Sequence, residues 1–257
     1  MRWYIFCNGH ILLRDNAIPT GSAPPAGLEG PLLTQPLPCI DGEACMAVLT
    51  ERVPEGEDFR AVPLRQSYYV LSQADYRMAG KAEELLYWGA HTKYCSACGT
   101  PLVADTDISK RCPKCAKEFW PSLSIAIIVA VTRGDEILLV QSHNFRGNYM
   151  GLVAGFVETG ESLEECVARE VQEETGLAIS EIRYFGSQPW PYPSGLMVGF
   201  TAKYAGGTLN LQASELRAGG WFRRDKLPEI PGPMSMARML IDHWLLTSST
   251  AKKPQQQ

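Results

Sequence analysis

Glutamates crowd one stretch of this 257-residue chain, GFVETGESLEECVAREVQEETGL, from Gly155 to Leu177. Ser162 followed three residues later by Glu165 is a capping box, which starts a helix by satisfying its orphan backbone donors. Gly176 stands where a helix end favours a residue at positive φ. On the helix between them, at about 100° per residue, Leu163, Cys166, Val167 and Val171 gather on one side. Glu170 and Glu174 fall in that same sector and Glu173 at its edge, whereas Glu164, Glu165, Arg169 and Gln172 point elsewhere. Solvation accounts for Glu164 and Glu165. It does not account for Glu170 and Glu174, which share the face that must pack inward. Two carboxylates about 4 Å apart repel by about 4 kcal/mol at an effective dielectric near ~20. They protonate or splay unless a dication neutralises them. Hard oxygen donors suit Mg²⁺ or Mn²⁺, which also take phosphate oxygens. The helix therefore predicts a metal-assisted phosphate site. Arg169 lies four residues before Glu173 and can pair with it, and the loop from Gly155 to Gly160 can bring backbone close to a ligand.

A second constellation is Cys95-x-x-Cys98 and Cys112-x-x-Cys115, with thirteen residues between the pairs. Each C-x-x-C can grip one tetrahedral Zn²⁺ from a tight turn, and the intervening segment returns as a hairpin. Four thiolates close the coordination shell, so the ion is structural rather than catalytic. A redox dithiol is the alternative. Lys93, Lys110, Arg111, Lys114 and Lys117 make this ribbon locally basic, which reads as solvated charge or as a surface for nucleic acid. The remaining cysteines, Cys7, Cys39, Cys45 and Cys166, are scattered and read as ordinary thiols of a reducing compartment.

These groups need a scaffold, and the composition can supply one. Apolar residues make up 45% of the chain and charged ones 20%, enough for a real core, and the length suits two modest domains. The balance of 24 basic against 28 acidic residues does not announce a nucleic-acid binder. No run reaches the roughly 18 apolar residues that a membrane helix needs. The opening MRWYIFCNGHILLRD is a poor signal peptide, because Asn8, Gly9 and His10 interrupt it. The expectation is a cytoplasmic protein without a membrane partner.

Along the chain, the start reads as an edge strand, a turn and another strand. Ile18 to Pro38 is too rich in Pro and Gly for regular structure, Ser67 to Ser72 is a strand, and Ala74 to Ala90 is a helix. Ser124–Arg133 and Glu136–Ser142 form a hairpin over Gly134-Asp135, and Met150–Glu158 is a further strand. After the carboxylate helix, strands are expected near 182–185, 196–204, 208–211 and 221–223, then a helix over about 234–246. No internal repeat is visible. Mixed strands and helices give an α+β class. The divisions are 1–90, a β-rich domain ending in a helix; 91–121, the zinc ribbon; 122–247, the domain with the carboxylate helix; and 248–257, a flexible tail.

Gly155, five residues, Glu161, seven residues, Arg169-Glu170-Val171, one residue, Glu173-Glu174, one residue and Gly176-Leu177 together resemble a complete Nudix box. The resemblance implies a Nudix α/β/α sandwich on a mixed sheet, hydrolysis of a nucleoside diphosphate linked to another moiety, and Mg²⁺ or Mn²⁺ held by Glu170, Glu173 and Glu174. After the box comes Ser187-Gln188-Pro189-Trp190-Pro191-Tyr192-Pro193-Ser194-Gly195. It resembles the S-Q-P-W-P-F-P-x-S motif of the NADH pyrophosphatases, the NAD-capped RNA hydrolase subfamily, with Tyr192 in place of Phe and Gly195 in place of the last Ser. A four-cysteine ribbon and an N-terminal domain ahead of the box also match that subfamily.

The subfamily implies that NAD(H), and NAD-capped RNA with it, is cut to nicotinamide mononucleotide and AMP by a homodimer. It implies Glu215 as a further metal ligand and Arg169 as part of the catalytic group. It implies substrate contacts at Arg65, Trp120, Ala154, Phe156, Ala237 and Gln188 through Gly195, with the Phe156 ring on the nicotinamide. Two rival readings are a broader pyrophosphatase acting on ADP-ribose or dinucleoside polyphosphates, and an RNA-binding sensor without catalysis. The intact box argues against the sensor.

Overall fold

The computed structural model describes residues 1–28, 33–53, 58–145 and 147–247; the tail expected at 248–257 lies outside them. Two compact units emerge. The first comprises Met1–Leu123 together with Trp190–Ser194, and the second Ser124–Pro189 with the described residues from Gly195 onward.

The first unit holds β1 (Arg2–Cys7), β2 (His10–Leu13), β3 (Leu33–Ile40), β4 (Glu43–Thr50), β5 (Arg60–Pro63), α1 (Leu64–Ser67) and α2 (Gln73–His91). The small strands β6 (Val103–Thr106), β7 (Ser109–Arg111) and β8 (Glu118–Phe119) follow. Asn8 and Gly9 both take positive φ, 48° and 73°, and turn β1 into β2 as a two-residue hairpin. The sheet order is β3-β4-β1-β2-β5, with β1 and β4 parallel. β1 is thus a central strand, not the edge strand expected from the sequence, and buries five of its six residues. Helix α2 packs Ala79, Ala82, Leu85 and Leu86 with Tyr4, Phe6, Ile11 and Leu13 in one core.

Two readings of this unit are corrected. β3 forms inside the Pro-rich segment because it lies at the sheet edge, where Pro36 and Pro38 need not donate to a ladder. Ser67 to Ser72 is a helical turn, not a strand. Ser67 Oγ donates to Leu64 O at 2.7 Å and Leu71 N to Ser67 O at 2.9 Å, so local bonds satisfy this backbone.

The second unit contains β9 (Ser124–Arg133), β10 (Glu136–Ser142), β11 (Val153–Phe156), α3 (Leu163–Thr175), β12 (Leu177–Pro189), β13 (Gly195–Gly207), β14 (Leu216–Arg223) and α4 (Met236–Thr247). Its mixed sheet runs β12-β13-β9-β10-β14, with β11 also paired to β9 and the β13–β9 pair parallel. Alternation sorts the core into two layers. Ile127, Val129 and Val131 of β9 pack with Cys166, Val167 and Val171 of α3. Ile128 and Ala130 pack with Leu240, Ile241 and Trp244 of α4. The result is an α/β/α sandwich. The strand expected over 208–211 is absent. Asn210 N donates to Thr175 O and Gln212 N to Glu174 O, both at 2.9 Å, so this segment satisfies the open carbonyls at the end of α3 instead.

A repeat invisible in the sequence appears in the topology. The order β3-β4-β1-β2-β5 matches β12-β13-β9-β10-β14 strand for strand, including the single parallel pair in each. A helix follows the last strand in both. Among its described residues the first unit has no counterparts of β11 and α3, the two elements that carry the carboxylate motif. Among the described residues no helix is long and apolar enough to cross a membrane.

Candidate active site

Helix α3 forms as its caps dictate. Ser162 and Glu165 bond reciprocally in a full capping box, and Gly176 closes the helix at φ 70°. Val171 and Glu174 are both buried, and Glu174 is only 5% exposed. Glu170 is half-buried, while Glu173 is exposed.

Arg169, expected to pair with Glu173, does more. Its guanidinium reaches Glu161 at 2.6 Å, Glu170 at 2.9 Å and Glu173 at 3.1 Å, and donates to the Phe156 carbonyl at 3.0 Å. It therefore ties α3 to the end of β11. Glu161 had no role in the sequence reading beyond its place in the motif. Arg169 and the Glu158 backbone N–H hold its carboxyl down at about 2. The signal that finds it is spacing: it lies eight positions before Arg169, across a helix start.

Among the described residues no ion pair reaches Glu174. Burial, then Glu170, Glu215 and Glu173, push its carboxyl up to about 8. Burial also raises Glu170, against the pull of Arg169. Glu215 comes from the loop before β14, which Gln212 N anchors on the Glu174 carbonyl. His143 holds the same loop: its N–H donates to Glu215 O at 2.9 Å, and its ring Nε2 lies 3.1 Å from Ala213 O. Glu174 is thus desolvated, and the charges of Glu170, Glu215 and Glu173 act on it. Oxygen donors of this kind fit a hard dication.

The cysteines make a tighter group. Ligand atoms of Cys95, Cys98, Cys112 and Cys115 all lie within 4.8 Å of one another, with Sγ separations of 3.5 Å (Cys95–Cys115 and Cys98–Cys112) and 3.7 Å (Cys98–Cys115). A tetrahedron of thiolates about 2.3 Å from one ion has sulfurs about 3.8 Å apart. The two turns are alike. Gly99 N donates to Cys95 O and Ala116 N to Cys112 O, with Gly99 and Ala116 both at positive φ, 69° and 59°. The donor set therefore fits a closed metal centre. The basic character of the ribbon is partly internal. Lys110 Nζ donates to Gly89 O at 2.9 Å and Thr92 O at 2.7 Å, at the negative end of α2, and lies 4.8 Å from the Trp88 ring centre. Arg111 pairs with Asp105 and Glu118. Of the scattered thiols, Cys7, Cys45 and Cys166 are buried, and burial pushes Cys166 up to about 12.

The remaining expected site residues divide by environment. In the second unit, Phe156 is 65% exposed, whereas Ala154 is half-buried on β11 and Ala237 is buried in the α4 core. Gln188 spends its side chain on the start of α4, donating to Met234 O at 2.7 Å and accepting from Met236 N at 2.9 Å. Pro189 ends β12 and Gly195 begins β13. In the first unit, Trp120 is 53% exposed. Trp190, Pro191, Tyr192, Pro193 and Ser194 form a loop in which Pro191 is buried, and Ser194 Oγ donates to Ser122 O at 2.9 Å. The Arg65 guanidinium lies over the Trp190 and Tyr192 rings, 4.9 and 4.8 Å from their centres.

The NUDIX domain family model matches residues 122–242, and the model described as the NADH pyrophosphatase-like rudimentary NUDIX domain matches residues 1–88. The NAD-capped RNA hydrolase NudC of Chromobacterium violaceum is 37% identical over 246 residues, 94% of this chain and 91% of that protein. The chain belongs to the Nudix hydrolases. Its second unit carries the Nudix motif, and the matching strand order without α3 gives a structural sense to the rudimentary Nudix description of the first. The protein of the same name from Photobacterium profundum is 34% identical over 98% of this chain and 94% of that protein. That from Pseudomonas aeruginosa is 42% identical over 75% of this chain and 69% of that protein. A crystal structure of a NUDIX hydrolase from Nitrosomonas europaea shares the fold at a TM-score of 0.52 and 22% identity, covering 63% of this chain and 94% of that one.

Two predictions arise from this Nudix helix. A Cβ on Gly155 would sit 2.0 Å from Glu170 Cδ. Gly155→Ala therefore forces the Glu170 carboxylate aside, and a flexible side chain can yield without unfolding its surroundings. We expect kcat to fall by about tenfold or more while the melting temperature moves by only a few degrees. Steady-state kinetics with a thermal melt checks this; an unaltered kcat would contradict it.

The second concerns pH. Unfolded, Glu174 titrates near about 4.3. Between there and about 8 the folded protein retains a proton that the unfolded chain has lost. Stability then falls as pH rises through that window. Protein dialysed free of Mg²⁺ and Mn²⁺ should melt at progressively lower temperature as the pH is taken from about 5 to 8.5. Glu174→Gln should flatten that slope, and an equal slope in the variant would rule out Glu174 as its source.

Proposed function

We propose that this protein hydrolyses the diphosphate of NAD(H) to nicotinamide mononucleotide and AMP, and removes NAD caps from the 5′ ends of RNA. The observation that carries the hydrolytic reading is the buried Glu174 on a complete Nudix helix, on which Glu170, Glu173 and the loop residue Glu215 act electrostatically. The names of relatives matching nearly the whole chain direct it to NAD-linked substrates.

Glu170, Glu173, Glu174 and Glu215 would hold Mg²⁺ or Mn²⁺. Such ions, when bound, offset diphosphate charge and acidify the attacking water. Arg169 fixes Glu170 and Glu173 through direct ion pairs, so two of the four carboxylates keep their direction before substrate arrives. One of these glutamates takes the proton of that water, and Glu174, which burial pushes up to about 8, is the candidate in this reading. In this reading, as the subfamily resemblance implies, the Phe156 ring takes the nicotinamide, and Trp120, Trp190 and Arg65 are further substrate contacts. Ala154, Ala237 and the backbone of Gln188 to Gly195 complete the substrate contacts in this reading. Cys95, Cys98, Cys112 and Cys115 hold Zn²⁺. A cytoplasmic homodimer belongs to the same proposal, and sedimentation at micromolar concentration tests the dimer.

The experiment is product analysis by mass spectrometry after incubation with Mn²⁺ and either NADH or NAD-capped RNA. AMP with reduced nicotinamide mononucleotide, and a 5′-monophosphate RNA, are expected. Cleavage of ADP-ribose with NADH left intact would favour the broader pyrophosphatase. Binding of RNA without metal-dependent products would favour a sensor.

A further inference from the structure

The motif S-Q-P-W-P-F-P carries Phe where this chain has Tyr192, and the added hydroxyl has a partner. Tyr192 Oη lies 3.1 Å from Tyr76 Oη on α2, although the two are 116 positions apart in the chain. Both rings are half-buried. Tyr192 packs on the core beneath α2, and its ring meets Trp190 edge-on at 5.2 Å. Arg65 covers the faces of both rings. Tyr76 in turn meets Tyr68 edge-on at 5.3 Å. One helical turn beyond Tyr76, Gly80 makes room for Pro191, since a Cβ there would stand 3.1 Å from Pro191 Cγ. Trp190 thus meets a ring that α2 holds through one hydroxyl pair, beside a proline that one glycine of α2 admits.

We propose that Tyr76 is a positioning residue for dinucleotide selection: its hydroxyl, bonded to that of Tyr192, fixes the loop 190–194 and with it the attitude of Trp190. This rests on the functional reading above, in which the loop contacts NAD(H). Burial raises the titration of both phenols, so each stays protonated and the pair has one donor and one acceptor at neutral pH. Removing one hydroxyl strands the other in a partly dry site, whereas removing both leaves two apolar rings in contact. The proposal therefore has a non-additive signature.

The test is a double-mutant cycle of Tyr76→Phe, Tyr192→Phe and the pair, with steady-state kinetics on NADH and ADP-ribose. Each single variant should raise KM for NADH about three- to tenfold with kcat within about twofold. The double variant should be no worse than the worse single one. The Trp190 indole resonance in ¹⁵N-labelled protein, assigned by its loss in Trp190→Phe, should shift in Tyr76→Phe. Singles with unchanged KM, or additive losses in the double variant, would overturn the proposal while wild-type activity upholds the functional reading. Equal losses of kcat on both substrates would show a general structural defect and overturn it too. Wild-type protein that leaves NADH intact would remove the functional reading and this proposal together.

Discussion

Glu174→Gln is expected to lower kcat for NADH about a hundredfold to ten-thousandfold, the range for loss of a general base. The change keeps the shape of the side chain and removes only its charge and basicity. It also removes a desolvated carboxyl on which the charges of Glu170, Glu215 and Glu173 act unfavourably. Above about pH 7 the variant should therefore melt at a higher temperature than the parent while turning over far less substrate. Activity and stability moving in opposite directions is the mark of strain kept for function. Zinc content should stay at the parental value, because the cysteines lie elsewhere in the chain. A variant with kcat within about threefold of the parent would remove Glu174 from the proton-transfer role.

Loss of the zinc proposed for the four cysteines is the other large effect expected. Structural zinc in small thiolate modules carries an apparent binding energy of about 10–16 kcal/mol, and that energy is folding energy. The ribbon around the four cysteines has little else: β6, β7 and β8 are four, three and two residues long. Cys112→Ser opens the tetrahedron at a buried ligand. The expected results are loss of stoichiometric zinc by elemental analysis and rapid proteolysis within 93–119. A drop in the melting temperature should follow, because Lys110 then no longer caps the C-terminus of α2. Adding Mn²⁺ should not reverse any of these. Full protease resistance in the zinc-free variant would show that the ribbon stands without a metal.

What could be read from the sequence was set by forces acting over a few residues. Ser162, Glu165 and Gly176 bound α3 because capping involves neighbours three or four positions apart. The C-x-x-C turns and the Asn8-Gly9 hairpin are local for the same reason. The Nudix motif carried the carboxylates with their spacing, so Glu170, Glu173 and Glu174 could be picked out before any fold was known. Periodicity put Arg169 on the outer side of the helix, but its reach to Glu161 and the Phe156 carbonyl depends on where β11 ends.

Only the tertiary structure decided the rest. The prolines of β3 are compatible with a strand solely because that strand is an edge, which is a property of the sheet and not of the segment. Glu215 gains its relation to Glu174 through a loop tied to the end of α3 and to His143. The two units share a strand order without a visible sequence repeat, since pairing order follows from burial pattern and chain reversal, which many sequences satisfy. Tyr76 and Tyr192, 116 positions apart, are unremarkable singly and meet only when the intervening chain has folded. Local chemistry thus named the reacting groups, and chain closure over long separations determined which side chains orient them.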